Sequence, residues 1–236
     1  MHEQLNRYGD VARPNAGGHG MDIASQRADE LDALAIRQIE SLVALAEGRY
    51  PIHALDVGCG RGGQAARMAR AGAQVLAVDI EDHAADMAAA MRAQGAADAA
   101  WSFRRIGIAE IGTIEVEPRI VVCQRTIHYL RHSDALAALR TLRAICAAGA
   151  MLYLSASGLD SELGDGYPGA NVDVCDRFAP LLPDRAAAHN IRPPVCLYQE
   201  CELASLVLEA GWQVQQTFRS DFGNVKLVAS RESCEP

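Results

Sequence analysis

The sequence has no run of Lys and Arg, no Cys-x-x-Cys pair and no long apolar stretch, and each absence excludes a class of protein. Its formal net charge is −8, so the long-range field repels phosphate backbones, and nucleic acid is not an expected partner. Seven scattered cysteines suggest neither a disulfide framework nor a structural zinc site and read as reduced thiols of a cytoplasmic protein. No apolar run approaches the roughly 18 residues of a membrane span. The opening "MHEQLNRYGD" lacks the charged-then-apolar pattern of a signal peptide. Internal repeats and low-complexity segments are missing too, apart from an alanine bias.

What is present is ordinary for a folded soluble chain: half of the 236 residues are apolar and 22% are charged. This length fits one domain. Residues 1–24, including "RPNAGGHG", read as a polar, glycine-rich arm. From Ser25 to Leu45 apolar positions recur at helical spacing, and Gly48 supplies a stop. Then "PIHALDV" reads as a strand, the glycines after it as a turn and "GQAARMARAG" as a helix. The cycle continues through "QVLAVDI", "EDHAADMAAAMRAQG", "AAWSFRRI", "RIVVCQ", "DALAALRTLRAICAAG" and "AMLYLSAS". Apolar strands alternating with helices call for a parallel sheet covered on both faces, a doubly wound α/β domain.

After Ser157 the rhythm breaks, and residues 158–198 read as a lid or substrate-binding insertion. A helix in "QECELASLVLEAG" follows, and "WQVQQTF" and "GNVKLVAS" are close enough to pair as an antiparallel hairpin.

The chemistry concentrates in "LDVGCGRGG", where the turn carries Gly58, Gly60, Gly62 and Gly63. A strand running through such a turn into a helix leaves backbone N–H groups open to a ligand, with no Cβ in the way. The spacing satisfies both G-x-G-x-x-G, a dinucleotide template, and G-x-G-x-G. Asp56 helps to separate them: a carboxylate at the mouth of the turn opposes a pyrophosphate but suits a ligand bearing sulfonium and ammonium groups. Asp79, closing "VLAVD", stands where either template places an acid for ribose hydroxyls, or else caps the next helix.

With "LDVGCGRGG", "VLAVDI", "IVVCQRTIHYL" and "AAGAMLYLS" in order, the chain resembles the class I S-adenosylmethionine-dependent methyltransferases over residues 50–157 and the terminal hairpin. The resemblance implies a Rossmann-like seven-stranded sheet with an antiparallel last strand and S-adenosylmethionine as cofactor. It places Asp56, Gly58, Cys59, Gly60 and Gly62 around the methionine moiety and Asp79 with Ile80 at the ribose. Ile108 replaces the acid often found near the adenine amine, so Ile108 and Ala109 are the expected adenine contacts, with Glu110 as a further candidate. Tyr8 and Arg13 of the arm, and Arg27 just after it, are candidates for the cofactor's carboxylate.

For the transfer itself the candidates are Gln124, His128 and Tyr129 after the fourth strand, and Tyr167 in the insertion. Gln124 is also a candidate cofactor contact. His128 is either substrate-facing or a packing histidine, and Arg125 either a clamp or a surface charge. Asp160, Glu162 and Asp165 of the insertion suit a donor substrate or are simply solvated turn acids. No metal site is expected. The expected activity is methyl transfer to a small-molecule O, N or S acceptor. The alternatives are an enzyme of the same fold that cyclises or cleaves S-adenosylmethionine, a cofactor-binding sensor, and a nicotinamide oxidoreductase.

Overall fold

The computed structural model describes residues 28–232, so Tyr8, Arg13 and Arg27 lie outside the described residues. Helix α1 spans Glu30–Ala46 and starts where Asp29 and Asp32 cap each other: each side chain accepts the other's backbone N–H, at 3.0 and 3.1 Å. Strand β1 (Ile52–Val57) then leads through the glycine turn into α2 (Gly63–Arg70). There follow β2 (Ala73–Asp79), α3 (Ala84–Gln94), β3 (Trp101–Arg105), β4 (Ile120–Gln124), α4 (His132–Ile145) and β5 (Met151–Ala156). The chain closes with α5 (Pro183–His189), α6 (Glu200–Glu209), β6 (Gln213–Arg219) and β7 (Val225–Ser230).

Among the described residues the strands form one seven-stranded sheet in the order β3-β2-β1-β4-β5-β7-β6. The first five pair in parallel, and β7 lies antiparallel between β5 and β6, so the expected hairpin and the inverted last strand are both present. The order reverses between β1 and β4, and sheets of this kind bind ligands outside the carboxyl ends at such a switch point.

Both faces are covered, as near-continuous apolar strands require. On one face α1, α2 and α3 bury Leu31, Ile39, Met68 and Met87 against Ala54, Val122, Tyr153 and Val228. On the other, α4 and α6 bury Leu139, Leu142, Leu203 and Val207 against Leu55, Val121, Leu152 and Leu227, and the Trp212 indole N–H donates to the Leu139 carbonyl at 3.0 Å.

Side chains two apart on a strand share a face. One step beyond the apolar row, toward the carboxyl edge, Asp56, Gln124 and Ser155 therefore face the first turn of α1, and so does Lys226 at the start of β7. Lys226 is the only lysine in the sequence. It lies buried against Asp29 at 2.8 Å and Glu30 at 3.0 Å, which fixes the end of the helix on the sheet.

The insertion has a core of its own, built from Leu163, Tyr167, Leu181, Ile191, Val195 and Leu197. Its return strand is zipped to the sheet's carboxyl edge: Tyr198 N–H donates to Ser157 at 3.1 Å, and Cys196 N–H to the His128 carbonyl at 2.8 Å. The segment is thus less irregular than its composition suggests and includes α5, which starts on Pro183.

Candidate functional site

The turn after β1 is shaped by its neighbours' demand for space. Gly58 has φ +69°, and a Cβ there would lie 2.1 Å from the Thr126 hydroxyl oxygen; Gly62 has φ +79°, and its Cβ would meet the Met87 sulfur at 2.3 Å. Both positions combine a left-handed backbone with no room, so only glycine fits. The Gly58 and Cys59 N–H groups are anchored on the Val78 carbonyl at 2.9 and 3.1 Å.

Asp79, half-buried at the end of β2, accepts the Gly60 N–H at 2.9 Å and the Glu81 N–H at 3.0 Å. One carboxylate thus ties the glycine turn to the neighbouring strand end. Beside it Ile80 is 68% exposed, an apolar side chain left open just past the end of β2. Ile108 is half-buried at the start of the turn after β3, next to exposed Ala109. Glu110 bonds the Gly107 N–H at 3.0 Å and so stabilises that turn from within.

Beneath the glycines the site is acidic and buried. Asp56 is buried, the Ala65 backbone N–H supports it, and its Oδ2 has no hydrogen-bond partner. Desolvation, followed by the charge of Asp32, pushes its carboxyl up to about 7, despite the opposing pull of Arg67. Asp32 is buried as well, and desolvation and Asp29 push it up to about 6. It accepts from Gln124 Nε2 and from Arg67 at 3.3 Å, while Arg67 also donates to Gln64 at 2.9 Å. Ser155 donates to Gln124 Oε1 at 3.2 Å, completing a chain from α2 through α1 to β5.

Gln124 thus joins the group around Asp56 and serves as its link to β4. Next to it Arg125 adopts φ +50°, a left-handed conformation uncommon for a side-chain-bearing residue and here located just past the carboxyl end of β4. Cys59 is mostly buried, and burial together with Asp56 and Asp79 pushes its thiol far above the usual range, so it stays protonated.

The other expected residues are placed differently. His128 is buried, and burial drives its imidazole down to about 3, so the ring is neutral; its Nδ1 has no partner, and it packs at 4.2 Å from the Tyr129 ring. Tyr129 is 39% exposed at the seam between β4 and the insertion. The Tyr167 hydroxyl donates to the Val195 carbonyl at 2.5 Å inside the insertion's own core. The three candidate acids of the insertion pair with arginines: Asp160 with Arg219, and Glu162 and Asp165 with Arg185. Among the described residues no three His, Cys, Asp or Glu side chains gather as a metal ion would need, and six cysteines are free thiols.

Asp32 was not among the sequence candidates. An acid in the first turn of a helix reads as a cap, and Asp32 is one. The available signal was its position on the apolar stripe of Leu31, Ala35 and Ile39, where a solvated acid does not belong.

The sheet is doubly wound, with a glycine turn at its switch point and Asp56 and Asp79 near the carboxyl ends of β1 and β2, the place where sheets of this kind bind ligands. Residues 54–149 match the family model of the methyltransferase domain. No curated protein sequence matches the chain. Among solved structures it is similar to the 1,6-didemethyltoxoflavin-N1-methyltransferase of Burkholderia thailandensis, bound to 1,6-didemethyltoxoflavin and S-adenosylhomocysteine. That pair shares 19% identity and a TM-score of 0.58 over 84% of this chain and 79% of that one. It is similar also to the magnesium protoporphyrin IX methyltransferase of Synechocystis with bound S-adenosylhomocysteine, at 18% identity and TM-score 0.55, over 87% and 89% of the two chains. An S-adenosylmethionine-dependent methyltransferase from Clostridium acetobutylicum aligns at TM-score 0.60 with 9% identity, covering 84% and 92%. At these identities the likeness establishes the fold. Among the described residues no helix is long and apolar enough to cross a membrane.

Proposed function

We propose that this protein transfers the methyl group of S-adenosylmethionine to a nucleophilic atom of a small-molecule acceptor. The observation that carries the reading is the buried, unpartnered carboxylate oxygen of Asp56 beneath a glycine-rich turn. Such an oxygen favours a cation and disfavours the pyrophosphate of a dinucleotide. In this reading Asp56, Gly58, Cys59, Gly60 and Gly62 hold the methionine end, with Gln124 beside them. Asp79 binds the ribose hydroxyls. Exposed Ile80 and half-buried Ile108, with Ala109, offer apolar contact and backbone groups to the adenine.

The cofactor's sulfonium supplies an electrophilic methyl group, to which the acceptor's lone pair bonds as the carbon–sulfur bond breaks. The protein's part is to align the acceptor on that axis and exclude water. Residues 158–198, anchored to the carboxyl edge through His128 and Ser157, form the lid over the acceptor, with Tyr129 on its rim. His128, neutral and buried, acts by packing Tyr129; a base tuned to neutral pH would need an imidazole pKa several units higher. An acceptor already nucleophilic at neutral pH, or one whose proton leaves to water, fits this site best. The structural neighbours from Burkholderia and Synechocystis, named for small-molecule acceptors, support that class of substrate.

The test is product analysis with methyl-labelled S-adenosylmethionine, with and without a mixture of small amine, hydroxyl and thiol acceptors. Label is expected to pass to an acceptor and S-adenosylhomocysteine to accumulate only when acceptors are present. Release of methylthioadenosine without an acceptor would instead identify a cofactor-cleaving or cyclising enzyme.

A further inference from the structure

We propose that Lys226 is a positioning residue for cofactor binding, clamping the start of α1 onto the sheet so that α1 holds Gln124 beside the glycine turn. This rests on the cofactor reading above and deepens it.

The capping box of α1 is gripped from both sides. Asp29 divides its carboxylate: Oδ1 accepts the Asp32 N–H at 3.0 Å, and Oδ2 takes the Lys226 ammonium at 2.8 Å. Glu30 meets the same ammonium at 3.0 Å, and the Phe218 ring, its centre 5.8 Å away, adds a cation–π contact. Asp32, the other half of the box, accepts from Arg67 at 3.3 Å and from Gln124 Nε2. Lys226 and Gln124 belong to one row across the sheet. Gln124 pairs with Ser155 and Ser155 with Lys226, and the Ser155 hydroxyl donates to Gln124 Oε1 at 3.2 Å.

The far end of that row is the glycine turn. Val57 pairs with Cys123, so Gln124 follows where Gly58 begins the turn. Thr126 donates to the Val57 carbonyl at 3.3 Å and occupies the space that a Gly58 side chain would need. The turn therefore rests on residues 124–126, and α1 holds the first of these.

The Lys226 side chain is 4% exposed. A buried ammonium stripped of its carboxylates is strongly destabilising, so the start of α1 cannot lift unless water reaches Lys226. A cofactor that favours the docked helix through Gln124 is favoured by docking to the same degree, because coupling between sites is reciprocal.

The experiment uses the full chain, in which Lys226 is the only lysine. Acetylation by an N-hydroxysuccinimide ester is read at Lys226 by peptide mass spectrometry, under conditions where the buried Cys123 thiol stays unlabelled by iodoacetamide, so that global unfolding is not the route. Saturating S-adenosylhomocysteine is expected to slow the acetylation at least about fivefold, the low end of ordinary coupling. Lys226→Gln is expected to weaken S-adenosylhomocysteine binding by a similar factor well below its unfolding midpoint. Lys226→Arg keeps the cation and is expected to restore most of the loss. A side chain that only stabilised the fold would lower the midpoint and leave the affinity of the folded protein unchanged. The wild-type labelling stands even if neither variant folds. Acetylation indifferent to bound S-adenosylhomocysteine, a folded Lys226→Gln that binds it as wild type does, or Lys226→Arg binding no better than Lys226→Gln would overturn the inference and leave the cofactor reading standing. If the wild type does not bind S-adenosylhomocysteine, the cofactor reading falls and this inference falls with it.

Discussion

Asp56→Asn is expected to make the protein more stable at pH 8 while depriving it of its cofactor. Burial raises the Asp56 carboxyl to about 7, far above the 3.8 of an exposed aspartate. The sign follows from linkage: a raised carboxyl favours folding below about 3.8 and loses that advantage as pH rises through about 7, because the unfolded chain holds fewer protons. At pH 8 the ionised side chain is therefore a burden, on the order of 2–4 kcal/mol for a shift of this direction and size. Asparagine keeps the shape of the protonated acid and carries no charge. Urea denaturation of wild type and variant at pH 5 and pH 8 measures the effect. A gain at pH 8 that shrinks at pH 5, together with loss of S-adenosylhomocysteine binding, is the expected pair of results. A variant less stable than wild type at pH 8 would show that the carboxylate supports the fold, and the site's acidity would need another explanation. A charge kept at a cost to the fold is what a binding site demands, since stability and function compete at such places.

The second large effect is expected from Arg177→Ala in the insertion. Arg177 is 4% exposed and grips Glu202 in a bidentate pair at 2.6 and 2.8 Å. It also donates to the carbonyls of Leu197 at 2.8 Å, Val172 at 3.0 Å and Gly169 at 3.2 Å. One guanidinium thus ties the insertion's two limbs to the start of α6. Removing it strands a mostly buried carboxylate and several carbonyls, and costs about 3–5 kcal/mol. The exposed pair Arg219 and Asp160 should cost about 1 kcal/mol or less on the same measurement. Hydrogen exchange is expected to accelerate across residues 158–199 in Arg177→Ala and to stay slow in β1, β4 and β5. Methyl transfer should fall further than cofactor binding, because the sheet edge remains intact while its cover loosens. If the unfolding midpoint moves by no more than the exposed pair's loss, the insertion is held by its apolar cluster instead.

The sequence makes the sheet and half of the site readable, for a definite reason. Periods of two and 3.6 residues are local signals, and the glycine turn with Asp56 and Asp79 joins elements that are adjacent in the chain. Asp32 was hidden because its partners are distant: Gln124 is 92 positions away and Arg67 is 35. Its capping bond with Asp29 also gave it a sufficient local explanation. The depth of His128 was equally unreadable, because the segment that covers it, through Cys196, returns only at the far end of the insertion. Tyr167 offered a hydroxyl in a polar loop, yet that loop builds its own core and uses the hydroxyl internally. Composition marked the insertion as a break in rhythm. It gave no hint of Arg177 as the tie, since an arginine among acids normally reads as a solvated charge.

The most direct measurement of the central claim is equilibrium binding of S-adenosylhomocysteine and of NADH to wild type and to Asp79→Ala. Micromolar binding of the first nucleoside, roughly 10- to 100-fold weaker in the variant for lost hydrogen bonds to a charged group, is the predicted result, with no binding of NADH. Tighter binding of NADH, or an affinity for S-adenosylhomocysteine indifferent to Asp79, would contradict it.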